Sequence, residues 1–361
     1  MLLRMVFIYC RAMTSDLPSP ATRRHRGVTL VAGQHEGHLR TVAAALAGPG
    51  SRRLTTGPGV HDAADEVHRT ALEIAWGSEP VDVTAELRPG TPTRATALLL
   101  GSLLDSDLGR PSGLPLLQHV VSVVSADDLA DLALRGTDDR FAAAEHVVEL
   151  VEHATVVVLT DVGSVTGREH RLLGALLEAL APTAVVLPIA SLTSGSLPPL
   201  GRAAALAGSA GWMRALSDHT PDVVEGDPVS TVVYRDERPF HPERLAVALE
   251  ETFTPGPAGT VLRSRGFTQF ATRADRVGSW SSVGQMLSLD PTSRPSWHPD
   301  APHGQQIAFF GLDLDARAIR RALDACLLTD AELLADPATW RDLVDPFPTW
   351  NDAAGPSGHA H

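Results

Sequence analysis

The chain contains no lysine. All 30 of its Lys+Arg residues are arginine, and its one asparagine, Asn351, stands near the end of the 361 residues. A GC-rich genome, which favours Arg codons over Lys and Asn codons, is the plain cause. Whatever the cause, chemistry that needs a compact Lys charge or an internal Asn is excluded. Cysteine is nearly absent too: only Cys10 and Cys326 occur. Two such distant thiols build neither a disulfide framework nor a Cys-based zinc cage, which fits a reducing cytoplasm. No apolar run free of charges and breakers reaches membrane length, so no membrane association is expected. The apolar opening Met1–Cys10 is too short to span a bilayer and has no small-residue cleavage site after it. Translation is expected to start at Met13, ahead of a Ser/Pro-rich tail (Thr14–Pro20). The net charge of -13 repels phosphate backbones, so direct DNA binding is not expected.

What is present is enough for two domains: 361 residues, 43% of them hydrophobic. Gly27–Ala32 reads as a buried strand, followed by Gly33, a loop, and a helix over Leu39–Leu46. Further strands are predicted at Val81–Ala85, Val120–Val124, Thr155–Leu159 and Ala184–Pro188, with helices at Arg140–His153 and Arg168–Leu180 between them. Alternating strands and helices predict an α/β domain, a parallel sheet with helices on both faces, over residues 28–205. Residues 1–27 and 351–361 read as disordered tails. Residues 206–237 follow a Gly/Pro/Ser/Ala-rich run and turn acidic, which reads as a linker. Beyond it, 238–350 alternates short strands with helices at Pro242–Glu251 and Ala316–Ala325, predicting a smaller α+β domain.

The second unit carries an ordered series of motifs. It reads Arg-Pro-Phe-His-Pro-Glu-Arg-Leu (238–245), Val-Leu-Arg-Ser-Arg-Gly-Phe (261–267) and Ala-Thr-Arg-Ala-Asp-Arg (271–276), then Trp280 and Gly284. It closes with Leu-Asp-Ala-Cys-Leu-Leu-Thr-Asp-Ala-Glu (323–332) and Asp-Pro-Phe-Pro-Thr-Trp (345–350). This series resembles the C-terminal domain of the CobW family over nearly all of 238–350. Most of these residues simply build the domain, with Phe240, Phe267 and Trp280 in its core. Where the family usually has a charged segment before its late strand, this chain has His303-Gly304-Gln305-Gln306-Ile307. If those charges contact the first domain in the family, that contact is weakened here.

The first unit resembles the family's P-loop GTPase domain in layout. A P-loop wraps phosphates with backbone N–H groups, neutralises them with Lys and holds Mg²⁺ with Ser or Thr. At the matching place stands Gly33-Gln34-His35-Glu36-Gly37-His38-Leu39-Arg40-Thr41. Gly33 matches the first glycine; His38, Leu39 and Arg40 fall where the second glycine, the Lys and the Mg²⁺ hydroxyl belong. Using Gly37 instead restores no Lys, and Thr41 is the only hydroxyl nearby. At the guanine-reading element, Thr160, Asp161 and Gly163 replace the Asn, Lys and Asp of the family pattern. Losing those base contacts forfeits discrimination of roughly 10⁴-fold. The strand Val120–Val124 ends in Ser125, where the family commonly has Asp, while Glu86 matches its strand-end Glu.

The family's Cys-x-Cys-Cys zinc signature is missing, because Thr55–Pro80 holds no Cys. His61 and His68 are too far apart along a helix to chelate. His35 and His38 could share one face of a turn, but with no third ligand in view a solvated loop is the simpler reading, and no metal site is assigned. The tail His359-Ala360-His361 would bind a stray ion incidentally. No Gly-x-Ser-x-Gly elbow surrounds Ser196, Ser209 or the other loop serines. The nucleotide-binding remnant is thus Gly33, Gly37, His38, Arg40, Thr41, Glu86, Thr160 and Asp161, with no catalytic residue assigned.

Val28-Thr-Leu-Val-Ala-Gly-Gln34 is similar to degenerate actinobacterial CobW relatives, associated with zinc starvation and recruitment of a hibernation factor to ribosomes. The resemblance implies a non-catalytic assembly factor whose partner is a protein, either the ribosome or that hibernation factor. The alternative is an active GTP-dependent zinc metallochaperone with GTP and Mg as its cofactors. A third is nucleotide binding without hydrolysis. One fold serves all three.

Overall fold

The computed structural model describes residues 27–48, 50–76, 81–106, 116–135, 141–192, 197, 210–217, 228–253, 256–335 and 337–350. The expected N-terminal tail up to residue 26, with Cys10 and Met13, lies outside them. So do Ser196, Ser209 and the tail 351–361 with Asn351, His359 and His361.

The opening strand β1 (Gly27–Gly33) is buried along nearly its whole length. Val28, Leu30 and Ala32 join one core cluster and Val31 the opposite one, the mark of a central parallel strand covered on both faces. Around it lie β2 (Arg52–Thr55), β3 (Val83–Glu86), β4 (Leu116–Ser125), β5 (Val156–Thr160) and β6 (Val185–Pro188). They form one sheet in the order β2-β3-β1-β4-β5-β6, and every pairing is parallel. Helix α1 (Glu36–Leu46) packs Leu39, Val42 and Ala43 over one face. On the other face the core is supplied by α2 (Val60–Trp76), α3 (Thr93–Ser106), α4 (Ala126–Ala130), α5 (Phe141–Glu152) and α6 (Gly167–Leu180). The first unit is therefore the α/β layer structure that strand–helix alternation predicts.

The stretch 206–237 is not simply a linker. Within it α7 (Gly211–Ser217) buries Trp212 and Ala215. Then β7 (Ser230–Asp236) pairs with the last strand of a second sheet. Its alternating Val232 and Tyr234 drive that pairing, because both reach the core of the second unit. The other strands are β8 (Thr260–Thr268), β9 (Arg276–Val283), β10 (Met286–Pro295) and β11 (Gln305–Leu312), in the order β10-β9-β8-β11-β7, all antiparallel.

One face of this sheet presents Trp280, Ile307 and Phe309 to α8 (Pro242–Ala248) and α9 (Ala316–Cys326), through Leu245, Ile319 and Leu323. The other face presents Leu262, Val283, Ala308 and Phe310 to the core of the first unit. The antiparallel sheet is thus sandwiched between its own helices and the parallel domain. Phe240 and Trp280 lie in the second unit's core as expected, but Phe267 does not. It is only partly buried and sits beside Trp212 of α7, with ring centroids 5.8 Å apart. Strand alternation is the reason, since Phe267 falls on the face of β8 that looks toward the first unit.

Candidate functional site

In a parallel sheet, ligands settle at the carboxyl ends of the strands, where successive crossovers run to opposite sides. Here the chain leaves β1 toward β2 at one edge and leaves β4 toward β5 on the other side, so the crevice opens between β1 and β4. Gly33 ends β1, and a Cβ there would stand 2.8 Å from the Val123 carbonyl oxygen, so only glycine fits this close approach. Gly37 is different: a Cβ on it would meet nothing within 4 Å.

Beyond Gly33, the His35 Nε2 lies 2.5 Å from Asp128 Oδ2, a contact that bridges the crevice from the β1 side to the β4 side. The His38 Nδ1 lies 3.1 Å from Thr160 Oγ1 and 3.7 Å from Asp161 Oδ2, both at the end of β5. The two imidazoles meet edge to face, centroids 5.6 Å apart. Asp161 holds a left-handed φ of 52°, unusual for a residue with a side chain and a form of local strain. Its carboxyl sits below the usual range. Partial burial works against that shift, but hydrogen bonds from Ser125 and Thr160, together with the nearby His38 and His35, outweigh it.

The crevice therefore brings together Gly33, His35, His38, Thr160 and Asp161. It does not gather the rest of the expected set. Arg40 turns back to Glu36 one helical turn away (2.7 Å), with both side chains about two-thirds exposed. The Thr41 hydroxyl donates to the Gly37 carbonyl of its own helix (2.8 Å). Glu86 is buried at the end of β3 and accepts a hydrogen bond from Arg53 Nε, so its carboxylate is already neutralised.

Sequence reasoning missed Asp128. The signal was present: Ser125 N-caps α4 and accepts from the Asp128 amide, as a Ser-x-x-Asp start announces. Among the described residues, no three His, Cys, Asp or Glu side chains converge as a metal site.

A second charged constellation, also missed, joins the two units. Arg263 of β8 is 1% exposed and binds two carboxylates of α5. Its Nε donates to Glu152 (2.8 Å), its Nη1 to Glu145 (2.6 Å) and to the Ser281 hydroxyl (2.7 Å). Arg265 reaches the other Glu145 oxygen at 2.7 Å. Burial alone would raise the Glu145 pKa, but Arg263 and Arg265 hold it below the ordinary range. Helix α5 also touches the crevice loop, because Gln34 Nε2 donates to the Ala143 carbonyl (3.2 Å). Gln305, in the segment that replaces the family's charged one, is buried inside the second unit. Its oxygen accepts from Thr268 and its amide donates to the carbonyls of Arg238 and Gln269. Arg263 and Arg265 supply charged contacts between the units, beside the apolar contact through Leu262, Val283, Ala308 and Phe310.

The second unit, an antiparallel sheet backed by two helices, corresponds over residues 229–327 to the cobalamin synthesis protein cobW C-terminal domain. The chain carries a CobW C-terminal domain. Curated relatives match over part of the chain. The zinc-regulated GTPase metalloprotein activator 1 of Dictyostelium discoideum is 27% identical over 256 residues, spanning 62% of this chain and 52% of that protein. A zinc chaperone of Mycobacterium tuberculosis is 28% identical over 156 residues, 37% of either chain. The similarity thus spans about half or less of those relatives' own length. Among solved structures, the Zn(II)-bound YjiA GTPase from E. coli is 15% identical, with a TM-score of 0.35, covering 85% of this chain and all of the other. Within the CobW domain, the matched residues begin just before β7 and end just past α9, so β7 belongs to the domain.

Proposed function

We propose that this chain is a CobW-like protein of zinc homeostasis whose parallel domain no longer holds GTP, and that it works by recruiting a protein partner in the cytoplasm. The observation that carries this reading is the occupied crevice. Where a phosphate-binding loop would present free backbone N–H groups and a Lys, His35 and His38 tie the loop to Asp128, Thr160 and Asp161. The residues present do not fit a magnesium–triphosphate group. The chain has no Lys, Arg40 is paired away on the surface, and the Thr41 hydroxyl is spent on its own helix. Carboxylates at 128 and 161 would repel phosphate oxygens.

The role in zinc handling is suggested by the printed names of the relatives. The recruitment role, with ribosomes or a hibernation factor as partner, follows from the resemblance of the opening strand and loop to degenerate CobW proteins. Among the described residues no helix is long and apolar enough to cross a membrane. Calorimetry with GTP, GDP and ATP in Mg²⁺ tests the first half, with no binding expected at micromolar nucleotide. Micromolar GTP affinity would overturn it and favour the GTP-dependent metallochaperone. Co-sedimentation with ribosomes from zinc-limited and zinc-replete cells tests the second half. Absence from ribosomes in both conditions would remove the ribosomal assignment.

A further inference from the structure

We infer that His35 and His38 form a two-imidazole site for a divalent transition cation of the zinc type, in the crevice between the carboxyl ends of β1 and β4. Each ring commits one nitrogen to an oxygen partner, His35 Nε2 to Asp128 and His38 Nδ1 to Thr160 beside Asp161. That leaves His35 Nδ1 and His38 Nε2 as the remaining donors. Metal-binding histidines are characteristically held this way, the second nitrogen hydrogen-bonded to a carboxylate or other acceptor that fixes the ring and raises its basicity. The spacing fits as well. Two imidazoles on one tetrahedral zinc, with Zn–N near 2.0–2.1 Å, put their ring centroids roughly 5 Å apart. The observed separation is 5.6 Å.

Asp128 and Asp161 set carboxylates beside the two rings, which favours a cation. Imidazole nitrogen selects zinc, nickel or copper over magnesium and calcium, which take oxygen ligands. No third protein ligand converges there among the described residues. Two coordination positions are therefore left to water or to a partner's side chain, as suits a cation that is passed on rather than stored. The two rings are half-exposed, so the ion can enter and leave. This inference rests on the reading that no nucleotide fills the crevice.

The test is a zinc titration of the full chain by calorimetry, without nucleotide, in a background of His359→Ala and His361→Ala that removes the tail imidazoles. Cobalt absorption in the visible range serves as a second readout. One zinc per chain is expected. His35→Gln and His38→Gln should each weaken it at least tenfold, and Asp128→Asn, which removes only the orienting carboxylate, by about tenfold. Unchanged melting temperatures of the variants separate loss of ligands from loss of fold. A zinc affinity unmoved in the double His variant, or no binding at 0.1 mM zinc, overturns the site. Because nucleotide is absent, a zinc-blind chain and a nucleotide-binding chain give different results in the two calorimetric experiments.

Discussion

The crevice at the end of β1 and the joint between the two units are both built from polar side-chain pairs that cross between elements, yet they differ in solvent. In the crevice, His35 and Asp128 keep side-chain exposures of 52% and 31%. At the joint, Arg263 and Glu152 keep 1% each. A charge pair in water contributes little, because water competes for both partners. A buried pair contributes little net either, but breaking it leaves a charge with no solvent and no partner. The joint is consequently hard to alter one residue at a time, while the crevice is free to change its occupants. This separation of roles lets the residues of the crevice vary while the two domains stay docked.

The largest way to break the comparison is Arg263→Met. It strands the buried Glu152, while Glu145 keeps Arg265 and Ser281, and it should cost about 3–5 kcal/mol in urea unfolding. Adding Glu152→Leu and Glu145→Gln should recover much of the loss, since an apolar replacement of the whole constellation is tolerated where removal of one partner is not. A loss below 1 kcal/mol for Arg263→Met would mean the joint is wet.

Next comes a pair of glycine variants inside the crevice. Gly33→Ala pushes a methyl to 2.8 Å from the Val123 carbonyl, which cannot move without disturbing β4. A cost of about 1–3 kcal/mol is expected. Gly37→Ala meets open space in the first turn of α1 and should stabilise by up to about 1 kcal/mol. Opposite signs in thermal melts check the close approach at position 33.

How much of this was legible in the sequence follows from range. β1, α1 and the carboxyl-end loop were readable because a buried parallel strand is apolar on both faces and Gly33 marks its end. The CobW domain was readable from motifs in order. By sequence β7 reads as linker because Asp222, Glu225 and Asp227 just before it set the local composition, although Val232 and Tyr234 alternate inward. The site residues divide in the same way. His38, Thr160 and Asp161 were placed together by a family pattern, but Asp128 was not, since its partner is 93 residues away. Arg263 and Glu145 are 118 residues apart, and Glu145 stands on a helix where an acid ordinarily reads as a solvated face. Pairing across such separation leaves no local trace.

Acid titration sharpens the comparison further. His153 follows α5 close to Arg94, Arg265 and Arg263, and burial, with those cations adding to it, pushes its pKa down to about 3. The unfolded chain binds a proton there near pH 6.5, while the folded chain stays neutral to about pH 3. Between those values the unfolded state holds the extra proton, so stability falls as pH falls, by up to about 1.4 kcal/mol per unit. His153→Gln should flatten that part of the stability–pH curve relative to the parent, measured by urea unfolding at pH 4, 5 and 6. An unchanged slope would show that His153 meets solvent.

The smallest expected effect is at Arg40, and its smallness is informative. Arg40 and Glu36 are one helical turn apart, both about two-thirds exposed, so Arg40→Ala removes an i,i+4 surface pair of the kind that contributes a few tenths of a kcal/mol. A phosphate-binding role would predict something else. Replacing the one cation on the loop would then abolish whatever nucleotide affinity the chain has while leaving stability alone. Measuring melting temperature and GTP calorimetry on the same Arg40→Ala protein separates the two. A shift within about 0.5 kcal/mol and no change in the nucleotide signal fits a helix-surface residue. A lost GTP signal would instead make Arg40 a phosphate ligand, and the crevice would have to open around His35 and His38 to admit it.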